Sequence, residues 1–459
     1  MAILKLLYGG ALGSSFGGEP VLYSDLDKIH PRLEAAEKWL RTGVGNGKNG
    51  FGWLNLPYQN LDRIEEYGKW LGTFDHIVQI GIGGSSLGNL MLVNALCHPY
   101  HNEKTHDHRN SPSFHVADNV DPIENLAIMD VIDLSRTALV VVSKSGSTAE
   151  TMANFLYFYN KLELTVGPLS APGHVMVITD EREGNLKSFA DETKCRKLVV
   201  PTDVGGRYSV LSTVGLVSSY ALGINIKGLL DGAAEIDRSI RSVRQMSSNP
   251  AWLIAALHYL HYSHGRNIDV LMPYSDRLES FSEWYAQLCA ESLAKDGKGF
   301  TPVRALGCID QHSQVQLYTD GPDDKLFTIL NVEKSQNLEI PDAGKKSLAG
   351  LSYLEGKDMS KMLSYEAKAT AASIFKAGKP VLWLQIPDIS PHTIGGLVFL
   401  FEYVTALTGF LMGVNPFDQP GVEQGKRYTY GLMGRDGFGE HLDEAKNLFS
   451  VLEKRSSVL

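Results

Sequence analysis

Two short segments place hydroxyls, glycines and one lysine where an apolar run gives way to a helical pattern. The first is Gly81–Gly88 (GIGGSSLG), between HIVQI (His76–Ile80) and NLMLVNALC. The second is Ser143-Lys144-Ser145-Gly146-Ser147-Thr148, between the apolar run Ala138–Val142 and a helical pattern from about Thr148. Hydroxyls and free backbone N–H groups at a helix start suit a doubly ionised phosphate, assisted by the helix dipole. Each loop also has a plainer reading. A glycine-rich turn closes many strand–helix junctions for steric reasons alone, and Ser147 or Thr148 could serve as a helix N-cap. Four hydroxyls and a lysine exceed what a cap needs. Position 86 is Ser, so the first loop departs from the dinucleotide GxGxxG pattern, and neither loop is a GxxxxGK[ST] nucleotide loop.

Four ionisable residues stand in segments that could complete a site. Arg207 follows two glycines in VGGRYSVLSTVGL (Val204–Leu216), where it could approach and stabilise developing negative charge. Glu291 lies in ESLAKDGKGFTPV, His312 in DQHSQVQLYTDGP and Lys426 in NPFDQPGVEQGKRYTYGL. Taken singly, each is as well read as a turn arginine, a helix-face charge, a structural histidine or a solvated lysine.

In order along the chain these segments resemble a known family. VVSKSGSTAET resembles the phosphosugar-binding loop of SIS (sugar isomerase) proteins, and GIGGSSLG resembles the matching loop of phosphoglucose isomerases. The remaining segments are similar to signatures of the short, bacterial-type phosphoglucose isomerases, including ESxGKDGKG, with Ala294 where Gly is common, and PFDQPGVExxK. The likeness runs from residue 81 to 430. It implies Glu291 as catalytic base, Arg207 as stabiliser of an enediolate, and His312 and Lys426 as the pair that opens the sugar ring. It implies substrate binding by Gly84, Ser85, Ser143, Lys144, Ser145, Thr148 and Gln419. It implies interconversion of glucose 6-phosphate and fructose 6-phosphate without metal or cofactor, and a homodimer in which His312 serves the partner's site. The same loops are compatible with a dual phosphoglucose/phosphomannose isomerase. The Ser143–Thr148 loop by itself is compatible with a non-catalytic phosphosugar sensor.

A metal-dependent hydride shift would need clustered ligands. Two histidine-rich stretches could offer them: His98, His101, His106 and His108, and His258, His261 and His264. Neither overlaps the strand-end loops where a substrate would bind.

These residues need a scaffold that brings strand ends together. Short apolar runs at Val175–Asp180, Lys197–Pro201, Asn267–Ser275, Leu326–Val332 and Pro380–Pro387 alternate with helical stretches, which is the pattern of parallel, doubly wound sheets. We therefore expect an α/β protein with two flavodoxin-like, SIS-type parallel-sheet subdomains in three α/β/α layers, with helical N- and C-terminal extensions. The expected division is 1–50 extension, 51–227 first subdomain, 228–264 connecting helices, 265–438 second subdomain and 439–459 terminal helix. Pro31–Gly50 reads as an amphipathic helix and a Gly/Asn-rich break.

The 459 residues carry 43 Lys+Arg against 52 Asp+Glu, a net charge of −9, which argues against a broad basic face for nucleic acid or membrane. Cys97, Cys195, Cys289 and Cys308 form no CxxC pair and read as free thiols of a reducing compartment. Gly395–Val414 has the length of a membrane span, but Glu402 sits in its middle, so it is expected to be a buried core helix in a cytoplasmic protein.

Overall fold

A computed structural model of the chain describes residues 3–13, 19–44, 50–342, 344–454 and 457. Among the described residues the strands form two five-stranded sheets. The first contains β2 (His76–Ile80), β3 (Ser113–Ala117), β4 (Thr137–Val142), β5 (Val175–Thr179) and β6 (Arg196–Val199), in the order β3-β2-β4-β5-β6 and parallel throughout. The second contains β1 (Lys5–Leu7), β7 (Ile268–Pro273), β8 (Thr301–Arg304), β9 (Lys325–Val332) and β10 (Val381–Ile386), in the order β1-β10-β9-β7-β8. Its pairings are parallel except for β1 on β10. In the first sheet β2 lies between β3 and β4, and in the second β7 lies between β8 and β9, as the first strand does in flavodoxin-like folds.

The central strands are runs of Val, Ile and Leu buried on both faces, as TALVVV in β4 and VMVIT in β5, because helices cover both sides of a parallel sheet. The N-terminal segment differs from the expected helical extension. It contributes β1 as an antiparallel edge strand, and its helix, Tyr23–Gly43, starts eight residues before Pro31. Asp25 stabilises that start by accepting a hydrogen bond from the Leu22 backbone N–H at 2.9 Å. Most of the expected Gly/Asn-rich break, residues 45–49, lies outside the described residues.

The chain divides into two compact units, Met1–Phe417, which holds both sheets, and Asp418–Leu459. The second consists of helices Glu423–Leu432 and Gly439–Glu453 with a short turn, Pro420–Val422.

The apolar segment is the helix Pro391–Met412, capped by Ser390 at its start and Gly413 in the left-handed region at its end, and almost wholly buried. It packs on the helix Ile226–Ser242. Two glycines allow this approach. A Cβ at Gly232 would overlap the His392 carbonyl, and one at Gly395 would overlap the Leu229 carbonyl. Glu402 is fully buried on this helix, and neither carboxyl oxygen has a hydrogen-bond partner. Burial therefore raises its pKa well above the usual carboxyl range and keeps it protonated in the fold.

A carboxyl that holds its proton only in the folded state destabilises the fold as pH rises through its unfolded value, near 4.5. The stability of Glu402→Gln relative to the parent is expected to rise with pH above that point, by up to ~1.4 kcal/mol per pH unit. Urea unfolding at a series of pH values checks this. A pH-independent difference would contradict a protonated Glu402.

Candidate active site

The first sheet reverses its strand order between β2 and β4, and both hydroxyl-bearing loops leave the carboxyl ends of those strands. This is where ligands bind in doubly wound sheets. Gln79, buried in β2, fixes the first loop: its amide donates to the Ser85 carbonyl at 2.8 Å, and its carbonyl accepts from Ser218 Oγ at 3.0 Å. Gly83 has φ +60°, and a Cβ there would lie 2.9 Å from Gln287 Nε2. Gly84 packs against the turn that carries Arg207, so closely that a Cβ would overlap the Gly206 carbonyl group. Ser209 Oγ ties the same two loops, donating to Gly206 O at 2.7 Å and to Gly84 O at 3.3 Å.

In the second loop Thr148 occupies the N-cap position of the helix Ala149–Val166, yet its side chain makes no capping hydrogen bond. Its hydroxyl faces Ser143 Oγ at 3.0 Å and Ser145 Oγ at 3.4 Å, so three hydroxyls cluster at a helix start. Gly146, at φ +63°, makes the turn between them. Lys144 is half-buried, and its ammonium donates to the carbonyls of Thr202 (2.8 Å) and Val204 (2.9 Å). Burial lowers its pKa below the usual lysine range. Lys144 thereby binds the phosphate-type loop to the segment leading into Arg207.

Arg207 is 3% exposed. Its Nε donates to Ser292 Oγ (2.7 Å), one terminal nitrogen to Glu291 Oε2 (3.3 Å), and the other to the Pro416 carbonyl (2.6 Å). Glu291 lies near the end of the helix Glu279–Leu293, and its side chain keeps 28% exposure. Gln287, one turn earlier, donates to Glu291 Oε1 at 3.0 Å. The carboxylate is thus held from both sides and still open to solvent, beside the Gly81–Gly88 loop that Gln287 also touches. Such an arrangement can take a proton from a bound carbon acid and stabilise the oxyanion formed.

The structure therefore brings Gly84, Ser85, Ser143, Lys144, Ser145, Thr148, Arg207 and Glu291 to one place. His312 is exposed on the short helix Ile309–Ser313 after β8, and its side chain makes no hydrogen bond or ion pair among the described residues. Gln419 and Lys426 belong to the second compact unit, where Lys426 pairs with Glu423 at 2.9 Å. Gln287, Ser292 and Gln79 went unnoticed in the sequence. Gln287 had a signal, since it precedes Glu291 by four residues on a helix and so shares its face.

Three histidines of these stretches are held by polar contacts. His101 Nε2 meets the Pro112 carbonyl (2.9 Å), His108 Nδ1 meets Thr105 Oγ1 (2.8 Å), and buried His261 meets the Ala11 carbonyl (3.0 Å). Among the described residues no three His, Cys, Asp or Glu side chains gather as metal ligands. All four cysteines are free.

Paired doubly wound sheets, with hydroxyl-rich loops at the switch point of one of them, define a protein of the phosphosugar-isomerase fold class. A solved glucose-6-phosphate isomerase from Chlamydia trachomatis shares the fold, with a TM-score of 0.77 at 22% identity, over 96% of this chain and 92% of that one. A hypothetical protein of Thermus thermophilus superposes with a TM-score of 0.82 at 35% identity, covering 90% of this chain and 97% of that one. The family model "Phosphoglucose isomerase" matches residues 59–435. A glucose-6-phosphate isomerase of Rubrobacter xylanophilus is 42% identical over 421 residues, 90% of this chain and 95% of the relative. One of Carboxydothermus hydrogenoformans is 39% identical over 434 residues, 92% of both. The chain belongs to the phosphoglucose isomerase family.

The contact between Gly84 and Gly206 gives an asymmetric test. Gly84→Ala is expected to lower unfolding stability by about 1–3 kcal/mol through overpacking against backbone. Gly206→Ala, whose Cβ would meet nothing nearer than 3.9 Å, is expected to leave it nearly unchanged. Equal midpoints for the two variants in urea would contradict the packing described.

Proposed function

We propose that the protein interconverts glucose 6-phosphate and fructose 6-phosphate by metal-free proton transfer. The observation that carries this reading is the Glu291 carboxylate, held at 3.0 Å by Gln287 and 3.3 Å by Arg207 beside two phosphate-type loops. In this reading the phosphate sits among Ser85, Ser143, Ser145 and Thr148, next to the Gly84 backbone, with Lys144 and Gln419 supporting it. His312 and Lys426 exchange protons at the ring oxygen and the anomeric hydroxyl, opening the hemiacetal. Glu291 then takes the proton from C2 of the open aldose, leaving a cis-enediolate whose charge spreads over O1 and O2. The same carboxyl returns the proton to C1 while the hydroxyl proton passes from O2 to O1, giving the ketose. Arg207 stabilises the enediolate without having to reorganise, because its other hydrogen bonds already fix its orientation.

The working form in this reading is a cytoplasmic homodimer, with His312 serving the partner's site. The exposed placement of His312, whose side chain makes no hydrogen bond or ion pair among the described residues, supports such a role. The helix Pro391–Met412, long and apolar enough to cross a membrane, is instead covered by the rest of the fold.

Purified protein given fructose 6-phosphate in excess EDTA is expected to form glucose 6-phosphate, with mannose 6-phosphate followed in parallel to define specificity at C2. Glu291→Gln is expected to lower kcat by at least the ~10²–10⁴-fold of a positioned base while leaving sugar-phosphate binding intact. Near-normal turnover of that variant would overturn the assignment of the base.

A further inference from the structure

The second sheet has a switch point of its own. Read as β8-β7-β9-β10, its order repeats β3-β2-β4-β5 of the first, with the reversal between β7 and β9. A cavity of about 740 Å³ lies there, a size typical of small-molecule sites. Ser275 and Arg277 reach it from the segment after β7, and Lys334 and Ser335 from the segment after β9. None of these residues belongs to the site around Glu291.

The two sheets match in sequence register as well as topology. Lys144-Ser145 are the second and third residues after β4, and Lys334-Ser335 are the second and third residues after β9. The difference lies in what the cations do. Lys144 spends its ammonium on the Thr202 and Val204 carbonyls, whereas Lys334 makes no side-chain hydrogen bond or ion pair among the described residues. Arg277 makes none either, and its Nε is buried without an acceptor. Burial lowers its pKa from the usual arginine value. A buried guanidinium N–H without an acceptor is costly, and an anion in the cavity would supply one. One carboxylate, Asp388, also lines the space, and it accepts a hydrogen bond from Thr393 Oγ1 at 2.9 Å.

We propose that this cavity is a second binding site, for a small phosphate monoester, with Arg277 and Lys334 as its counter-ions and Ser275 and Ser335 as hydroxyl donors. It operates whether or not the first site isomerises sugars. With Asp388 beside Lys334 the lining carries a net charge of about +1, which attracts an anionic phosphate monoester, and the remaining volume accommodates a body of sugar size.

Titration calorimetry of the full chain with 6-phosphogluconate, a six-carbon phosphate with no carbonyl to isomerise, tests this. Two binding events per chain are expected. Ser145→Ala with Thr148→Ala should remove the first. Arg277→Gln with Lys334→Gln should weaken the second by ~10-fold or more, as for lost charge-assisted hydrogen bonds, with turnover of fructose 6-phosphate within about twofold of the parent. Arg277→Lys, which keeps the charge, should retain the second event, separating loss of a ligand group from loss of fold. A single event per chain, or a second event indifferent to Arg277→Gln with Lys334→Gln, would overturn the proposal. Absence of isomerase turnover alone would bear on the first site only.

Discussion

The site is organised around one buried guanidinium. Arg207 lies almost entirely out of water, and a buried charge persists only where it is paired and hydrogen-bonded. Its partners come from separate stretches of chain: Glu291 and Ser292 from one helix end, and the Pro416 carbonyl from the turn after the apolar helix. Satisfying this one cation draws the Val204–Ser209 turn, the helix Glu279–Leu293 and residues 415–417 into register. The carboxylate is thereby aimed before any substrate arrives. Electrostatic stabilisation of a developing oxyanion is most effective when the donors are already oriented, because no reorganisation is left for the moment of reaction.

The phosphate-type loops are joined to the segments around that cation by close contacts. Gly84 meets Gly206, Lys144 holds the Thr202 and Val204 carbonyls, and Gln287 touches Gly83 while holding Glu291. The distance from these loops to the Glu291 carboxylate is therefore set by tight turns on two strand ends. In the proposed reaction, positioning of this kind converts binding energy at a remote phosphate into orientation at the reacting carbons. The lowered pKa of Lys144 follows from the same arrangement, since the ammonium is partly buried in order to serve as a tie.

Much of this was legible in the sequence, for physical reasons that differ by element. Strands β2, β4, β5, β7, β9 and β10 were evident because central parallel strands need apolar side chains on both faces. Strands β1, β3 and β8 were not: Lys5–Leu7 is three residues long, SFHVA carries a half-buried histidine, and TPVR is a polar edge strand containing proline. The two hydroxyl loops were marked by composition, and in the second Thr148 sits at the cap position without capping. Glu291 and Arg207 were marked by their motifs, but their pairing was hidden, because they are 84 residues apart and join only through tertiary packing. Gln287 and Gln79 act through the geometry they impose on neighbours, which no residue type announces. His312 is exposed and Lys426 pairs with Glu423, so their proposed roles rest on the motifs around them. The motif around each carries more than its own contacts do.

In the proposed reaction one carboxylate carries a proton between C1 and C2. This transfer is tested most directly by running fructose 6-phosphate to equilibrium in D2O with EDTA and following the C2 position of glucose 6-phosphate by NMR. Proton transfer through an enediolate predicts deuterium at C2, because a proton held on Glu291 exchanges with solvent in a fraction of turnovers. Complete retention of protium at C2 over many turnovers would contradict the account and point to a hydride shift.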